Sequence, residues 1–184
     1  MNSILSILKI RINFIIALIV FLFSLSFLSY SDNQEMSSNI QTTNEYYLWL
    51  PFLSANENFL GHPDEPVVIA TAINISKGSL NPNFFRYPSG QTYILASLFY
   101  FNELFYGEMK KEDYLNIARL FSRICVSGII TIVFLICTIN INFTAGLFSS
   151  IFSISSLFLR THSSYAIPDI PMSFFIVLFI FFAT

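Results

Sequence analysis

Charged residues are scarce in this sequence. Lysine, arginine, aspartate and glutamate together make up 11% of the 184 residues, whereas 54% are hydrophobic. An average soluble domain carries about 25% charged residues. The formal net charge is −2 and there is no basic tract, which argues against nucleic acid as a partner. The composition therefore predicts a membrane protein.

Cysteine and glycine-rich loops are also in short supply. The two cysteines, Cys125 and Cys137, fall in one predicted helix, where their spacing of ~18 Å excludes a disulfide between them. The sequence contains neither a Gly-rich phosphate loop nor the nucleophile elbow of the serine hydrolases. Nucleotide hydrolysis of the P-loop type and hydrolase chemistry of that type are therefore not indicated.

What the sequence does have is long apolar runs. The first follows Lys9 and Arg11, and it is longer than the core of about 7–15 residues that a cleavable signal peptide carries. It predicts an uncleaved membrane helix with a cytoplasmic N-terminus. We predict membrane helices at four places: Ile12–Tyr30, residues 117–139, residues 143–159 and residue 170 onward.

The last of these runs is too short to span a bilayer, which takes about 20 residues. We therefore expect the sequence to be the N-terminal part of a larger polytopic protein, or the product of a truncated reading frame. Residues 1–30 would form the cytoplasmic N-terminus and first helix. Residues 31–116 would form an extracytoplasmic loop, and residues 117–184 would form membrane helices two to four, the last one incomplete.

The loop contains an aromatic helix candidate, residues 91–106, that bears on the topology. Its apolar part is far shorter than a span, so we expect it to lie in the membrane interface. With that assignment the helix count places three acidic residues in one extracytoplasmic compartment: Asp64, Glu65 and Asp169.

Two of these acids belong to the motif His62-Pro63-Asp64-Glu65-Pro66. Either carboxylate suits a helix N-cap, the following proline suits the first helical turn, and Gly78 supplies a stop after a helix over residues 67–77. The plain interpretation is a cap. The functional interpretation is a catalytic base or, together with His62, a metal-binding group.

Further candidates lie later in the chain. Asp169 stands between two prolines at the start of a helix, where it is a cap or a further site residue. Arg119 and Arg123 are four residues apart and share one helix face, and Arg86 lies in a turn. Guanidinium groups in such positions suit a phosphate, or equally a lipid headgroup.

The order of these motifs resembles that of a known family. The acidic motif follows the first membrane helix, an aromatic turn comes next, an arginine-bearing helix start comes later, and an acidic turn comes last. The strings are His62-Pro63-Asp64-Glu65, Asn81-Pro82-Asn83-Phe84-Phe85-Arg86-Tyr87-Pro88, Ala118-Arg119-Leu120-Phe121-Ser122-Arg123 and His162-Ser163-Ser164-Tyr165-Ala166-Ile167-Pro168-Asp169. Together they resemble the N-terminal part of the GT-C glycosyltransferases, the protein O-mannosyltransferase and aminoarabinose-transferase-like membrane enzymes.

The resemblance implies an all-α polytopic membrane protein with interfacial helices in its first extracytoplasmic loop. It implies sugar transfer from a polyprenyl-phosphate donor to an unidentified acceptor, at the plasma or inner membrane or the endoplasmic reticulum. By this analogy Asp64 is the general base, Glu65 orients it or helps to bind a cation, and Asp169 is the second acid of the site. The arginines named above would bind the donor phosphate.

Three points stay open at this stage. A divalent metal ion held by His62, Asp64 and Glu65 is one option, although histidines so far apart in sequence give no ligand spacing. A transporter segment with acidic ion sites is an alternative function. A non-catalytic, truncated membrane protein is another.

Overall fold

The structure is a computed structural model of the chain. It describes the backbone of residues 2–35, with the side chains of residues 12–30, and then residue 62, residues 64–82 and residues 87–183. Every regular element in these ranges is an α-helix. The seven helices are α1 (Asn2–Glu35), α2 (Glu65–Ser76), α3 (Gly90–Tyr106), α4 (Lys111–Asn140), α5 (Phe143–Ser155), α6 (Leu157–Ser163) and α7 (Asp169–Ala183). Much of the predicted loop, residues 36–61, lies outside the described residues.

Two helices are long and apolar enough to cross a membrane. They are α1, over Ile12–Tyr30, and α4. Helices α5 and α6 together make a third candidate if they count as one bent span, whereas α2 and α7 are shorter apolar helices. The all-helical class is therefore confirmed for the described part of the chain, with two or three helices able to span. The number of passes and their direction stay predictions.

The predicted third helix is not continuous. Ser156 has an extended backbone conformation with ψ 114°, and its side chain accepts a hydrogen bond from the backbone of Leu159. The axes of α5 and α6 differ by 60° at this point. A serine hydroxyl can cap a new helix instead of continuing the old one, which explains why this apolar but serine-rich run is split here.

Helix α4 begins six residues before the predicted start at residue 117, at Lys111. The carboxylate of Asp113 accepts a hydrogen bond of 2.9 Å from the backbone N–H of Lys110, which satisfies one of the free donors at a helix start. Arg119 consequently lies in the third turn of the helix, not at its beginning as the sequence had indicated.

The predicted stop of α2 is confirmed. Gly78 has a φ of +102°, a left-handed conformation that favours glycine. Its N–H donates to the carbonyl of Ile75, and the N–H of Ser79 donates to that of Asn74. Helix α3 ends in a similar way at Gly107, with a φ of +87°. The chain can therefore reverse after each of these short helices.

Helix α4 is the centre of the fold, because it contacts each of the other six helices. Its first turns pack with α2 and α3 around Leu95, Phe99 and Ala118. Its middle packs against α1 and α7 around Val126 and Ile130. The buried interior therefore extends along α4, from its N-terminal turns, where α2 and α3 pack, towards its C-terminal end.

Helix α3 has one buried face and one exposed aromatic face. Leu95 and Phe99 are fully buried, whereas Tyr100, Phe105 and Tyr106 are exposed. At 17 residues it is shorter than a membrane span. Aromatic residues are enriched at membrane interfaces, and the interfacial position of α3 stays a prediction.

Two glycines allow close helix crossings. A β-carbon on Gly128 would collide with the ring of Phe174, at the contact between α4 and α7. A β-carbon on Gly146 would collide with the side chain of Thr138 and lie 2.9 Å from the backbone oxygen of Phe134. Small residues allow the close approach of helices in membrane proteins.

We expect Gly146→Ala to lower stability, because the backbone of α4 cannot move aside. Overpacking of this kind typically costs about 1–3 kcal/mol. The measurement is the temperature at which the detergent-solubilised protein aggregates, followed by size-exclusion chromatography. The matched control is Gly90→Ala, since a β-carbon there meets nothing within 4 Å. Equal behaviour of the two variants would contradict the close crossing of α4 and α5.

Candidate functional site

The centre of the candidate site is a buried ion pair between α2 and α4. The side chain of Glu65 is 0% exposed and that of Arg119 is 2% exposed. Arg119 Nε donates to Glu65 Oε1 at 3.0 Å, and Arg119 Nη2 donates to Glu65 Oε2 at 2.9 Å. This bidentate geometry is the strongest form of such a pair.

Two backbone groups complete the environment of the Glu65 carboxylate. The N–H of Ala166 donates to Oε1 at 2.6 Å, and the N–H of His62 donates to Oε2 at 3.1 Å. Each carboxylate oxygen therefore accepts two hydrogen bonds, which matches the four lone-pair positions of the group. The carboxylate ties together the start of α2, the third turn of α4 and the turn between α6 and α7.

This arrangement favours the orienting role expected for Glu65 over cation binding, and it favours a supporting role for Arg119. With all four lone-pair positions filled, Glu65 has none left for a metal ion or for a substrate proton. Two of the Arg119 donors are committed to Glu65, in a place that solvent does not reach. We therefore assign both residues to the support of the site. Within the described residues, no three His, Cys, Asp or Glu side chains are placed to hold a metal ion.

Asp64 differs from Glu65 in its exposure and in its hydrogen-bond partners. It occupies the N-cap position of α2, but its φ of −85° and ψ of −17° are helical and its side chain makes no capping hydrogen bond. Instead, the phenol of Tyr87 donates a hydrogen bond of 2.8 Å to Asp64 Oδ2. The side chain remains 30% exposed. The position is that of a cap, as predicted, but the carboxylate is not used as one.

His62 lies beside Asp64. The N–H of Asp64 donates to His62 Nδ1 at 3.2 Å, and the same nitrogen lies 3.6 Å from Asp64 Oδ2. The imidazole also faces the ring of Tyr165, with 5.8 Å between centroids. The ring thus fills the space between the acidic motif and the turn that follows α6.

The remaining predicted site residues are spread out. Asp169 is exposed at the first position of α7, and among the described residues no hydrogen bond joins it to Asp64 or Glu65. Arg123 is partly buried, one turn beyond Arg119 on α4. Arg86 lies outside the described residues. The structure thus brings together the motif that contains Asp64, the arginine of α4 and the turn at residues 165–166.

Sequence reasoning missed two parts of the site. Tyr87 stands 23 residues from Asp64, in a turn that looked structural, and only the packing of α2 against α3 brings them together. The backbone N–H of Ala166 has no side-chain signal at all. The Tyr165-Ala166 turn had been noted only as part of the motif that contains Asp169, whereas the structure shows the Ala166 N–H bound to Glu65.

The geometry allows acid–base chemistry at one carboxylate. The contacts of Tyr87 and His62 with the Asp64 carboxylate both involve Oδ2, and within the described residues Oδ1 accepts no hydrogen bond. A carboxylate that is oriented by a hydrogen bond and partly exposed can take a proton from a hydroxyl group. No family model, no curated protein and no solved structure matches this chain.

We expect Arg119→Met to destabilise the protein severely, because it leaves Glu65 buried and charged without its partner. Removing one member of a buried pair typically costs about 3–5 kcal/mol. The measurement is again the aggregation temperature in detergent. The double variant Glu65→Gln with Arg119→Met should recover part of the loss, since the unpaired charge is gone.

The control for Arg119→Met is Lys77→Met, which removes one positive charge from an exposed position after α2. It should leave the aggregation temperature nearly unchanged. A similar small effect for Arg119→Met would contradict the structural role of the ion pair.

Proposed function

We propose that the protein transfers a sugar from a polyprenyl-phosphate donor to an acceptor hydroxyl outside the cytoplasm, with Asp64 as the general base. The observation that carries this proposal is the state of Asp64. Its carboxylate is not used as a helix cap, accepts a hydrogen bond from Tyr87 and belongs to a side chain that is 30% exposed. The motif order that resembles the GT-C glycosyltransferases supplies the reaction type.

The reaction is a single displacement with inversion at the anomeric carbon. The acceptor oxygen attacks that carbon while Asp64 takes the hydroxyl proton. The bond between the carbon and the phosphate oxygen breaks, and polyprenyl phosphate leaves as the anion. A phosphate leaving group needs positive charge more than it needs a general acid. Arg123 and Arg86 are the candidates for this charge, and Asp169 is a candidate for holding the acceptor or a sugar hydroxyl.

The proposed location of the site is the extracytoplasmic face of the membrane. Lys9 and Arg11 precede the first span, which favours a cytoplasmic N-terminus. The hydrogen bond between Ala166 and Glu65 brings the turn after α6 against the start of α2. This contact supports the proposal that both segments lie on the same side of the membrane.

The transporter alternative has less support. Ion sites of transporters lie among the helices, near the middle of the bilayer. Glu65 is the one buried acid among the described residues, and Arg119 neutralises it. Asp64 and Asp169 lie instead at helix starts, where solvent reaches them.

We expect Asp64→Asn to abolish transfer, because an amide cannot accept the hydroxyl proton. General-base catalysis contributes about 10²- to 10⁴-fold. The assay measures release of polyprenyl phosphate from polyprenyl-phosphate mannose, glucose or aminoarabinose, in membranes of cells that express the gene. The amount of protein in the membrane fraction should stay unchanged.

Glu112→Gln is the matched control, since it removes one exposed carboxylate from α4 and should leave transfer intact. Wild-type rates in Asp64→Asn would exclude Asp64 as the base. No release by the unmodified protein from any of the three donors would contradict the proposed transfer from these lipids.

The shared location of the two acidic segments is tested by labelling. In a background without Cys125 and Cys137, Asp64→Cys and Asp169→Cys should both react with a membrane-impermeant maleimide added outside intact cells. Both residues have exposed surface at the start of a helix. Labelling of one but not the other would show that they lie on opposite sides of the membrane.

A further inference from the structure

A groove runs between the N-terminal end of α3 and the outer face of α7. Its cavity volume is about 410 Å³, within the range of about 300–1,000 Å³ that is typical of small-molecule sites. The walls are formed by Ile94 of α3 and by Met172, Phe175, Ile176 and Phe179 of α7. The groove is therefore almost wholly apolar.

The exception is Gln91, in the first turn of α3. It lines the groove and is only 6% exposed. Neither its Oε1 nor its Nε2 has a hydrogen-bond partner among the residues that the structure describes. A buried amide without partners is unfavourable and therefore calls for an explanation. Both amide atoms are shielded from solvent in this structure, so a ligand in the groove would supply the missing partner once the side chain turns its amide towards the groove.

We propose that the groove binds the hydrocarbon chain of a membrane lipid whose head carries a hydroxyl group, and that Gln91 recognises this hydroxyl. Nε2 would donate to the hydroxyl oxygen, and Oε1 would accept the hydroxyl hydrogen. A carboxylate or phosphate could accept from Nε2, but it would place negative charge against Oε1. The paired donor and acceptor of the amide therefore select a neutral head that can do both.

The apolar wall of the groove indicates that the rest of the ligand is a hydrocarbon chain. Met172, Ile176 and Phe179 are 48%, 52% and 74% exposed, although α7 is an apolar helix. Such a surface is stable against hydrocarbon rather than water. A lipid chain along α7 would cover these side chains. Lipid binding in the groove does not depend on sugar transfer.

The end of the groove that carries Gln91 is close in sequence to the candidate site. Pro88 and Pro168 line it. Pro88 follows Tyr87, which binds Asp64, and Pro168 lies two residues after Ala166, which binds Glu65. The head of a bound lipid would therefore point towards the residues of the candidate site.

The test is photolabelling of the protein in detergent with three probes that share one long chain bearing a diazirine and an alkyne. One ends in an alcohol, one in the methyl ether, which accepts but cannot donate, and one in a carboxylate. The alcohol should label peptides of α7 about three- to tenfold more than the other two probes, the value of one hydrogen bond.

The Gln91→Leu variant should be labelled equally by the alcohol probe and the ether probe. The hydrocarbon chain of each probe still fits the groove, but the hydroxyl head is no longer recognised. Asn102→Leu is the matched control, since its amide bonds the carbonyl of Leu98 within α3; it should keep the preference. Ile176→Trp should reduce labelling of α7 by filling the groove. Phe182→Trp, on the same helix but outside the groove, should not.

Competition then identifies the source of the hydroxyl. Displacement of the alcohol probe by dioleoylglycerol or by a long-chain polyprenol supports the proposal and names the lipid class. Displacement by neither would overturn it. Equal labelling by all three probes in the unmodified protein, or a preference that survives Gln91→Leu, would likewise overturn it.

Discussion

The buried pair of Glu65 and Arg119 is the interaction on which the site depends. A carboxylate with no solvent contact requires a counter-charge and a full set of donors, and here four donors come from three separate parts of the chain. The pair therefore fixes where α2 begins relative to α4 and where the turn after α6 must lie. Asp64 is held in place as a consequence, because it is bonded to Glu65 along the chain and has no buried partner of its own.

Adjacent carboxylates thus have different roles. Successive residues of a helix point about 100° apart, so when Glu65 turns inward to Arg119, Asp64 turns towards Tyr87 and solvent. The buried acid supports the site and the exposed acid is available for chemistry. The sequence placed both in a single motif and could not distinguish them, since that distinction depends on which face of α2 packs against α4.

Local signals in the sequence were sufficient for the short helices. Pro66 and Gly78 bounded α2 within a residue or two, and the long apolar runs located α1 and α4. The break at Ser156 and the early start of α4 were missed, because a serine in an apolar run suits either a helix or a cap and because the first turns of α4 are polar. The contacts of the site span 54 residues between Glu65 and Arg119 and 101 between Glu65 and Ala166. No local pattern encodes such pairings.

The same separations have a consequence for biosynthesis. The chain is made from the N-terminus, so Glu65 leaves the ribosome well before Arg119 and long before Ala166. Until α4 is in place, the carboxylate has no counter-charge, and α2 lacks the helix against which Glu65 is buried. The carboxylate of Glu65 can therefore be buried against its counter-charge only after α4 has been made. Assembly of the acidic motif is thus a late event, which follows the placement of the central helix instead of guiding it.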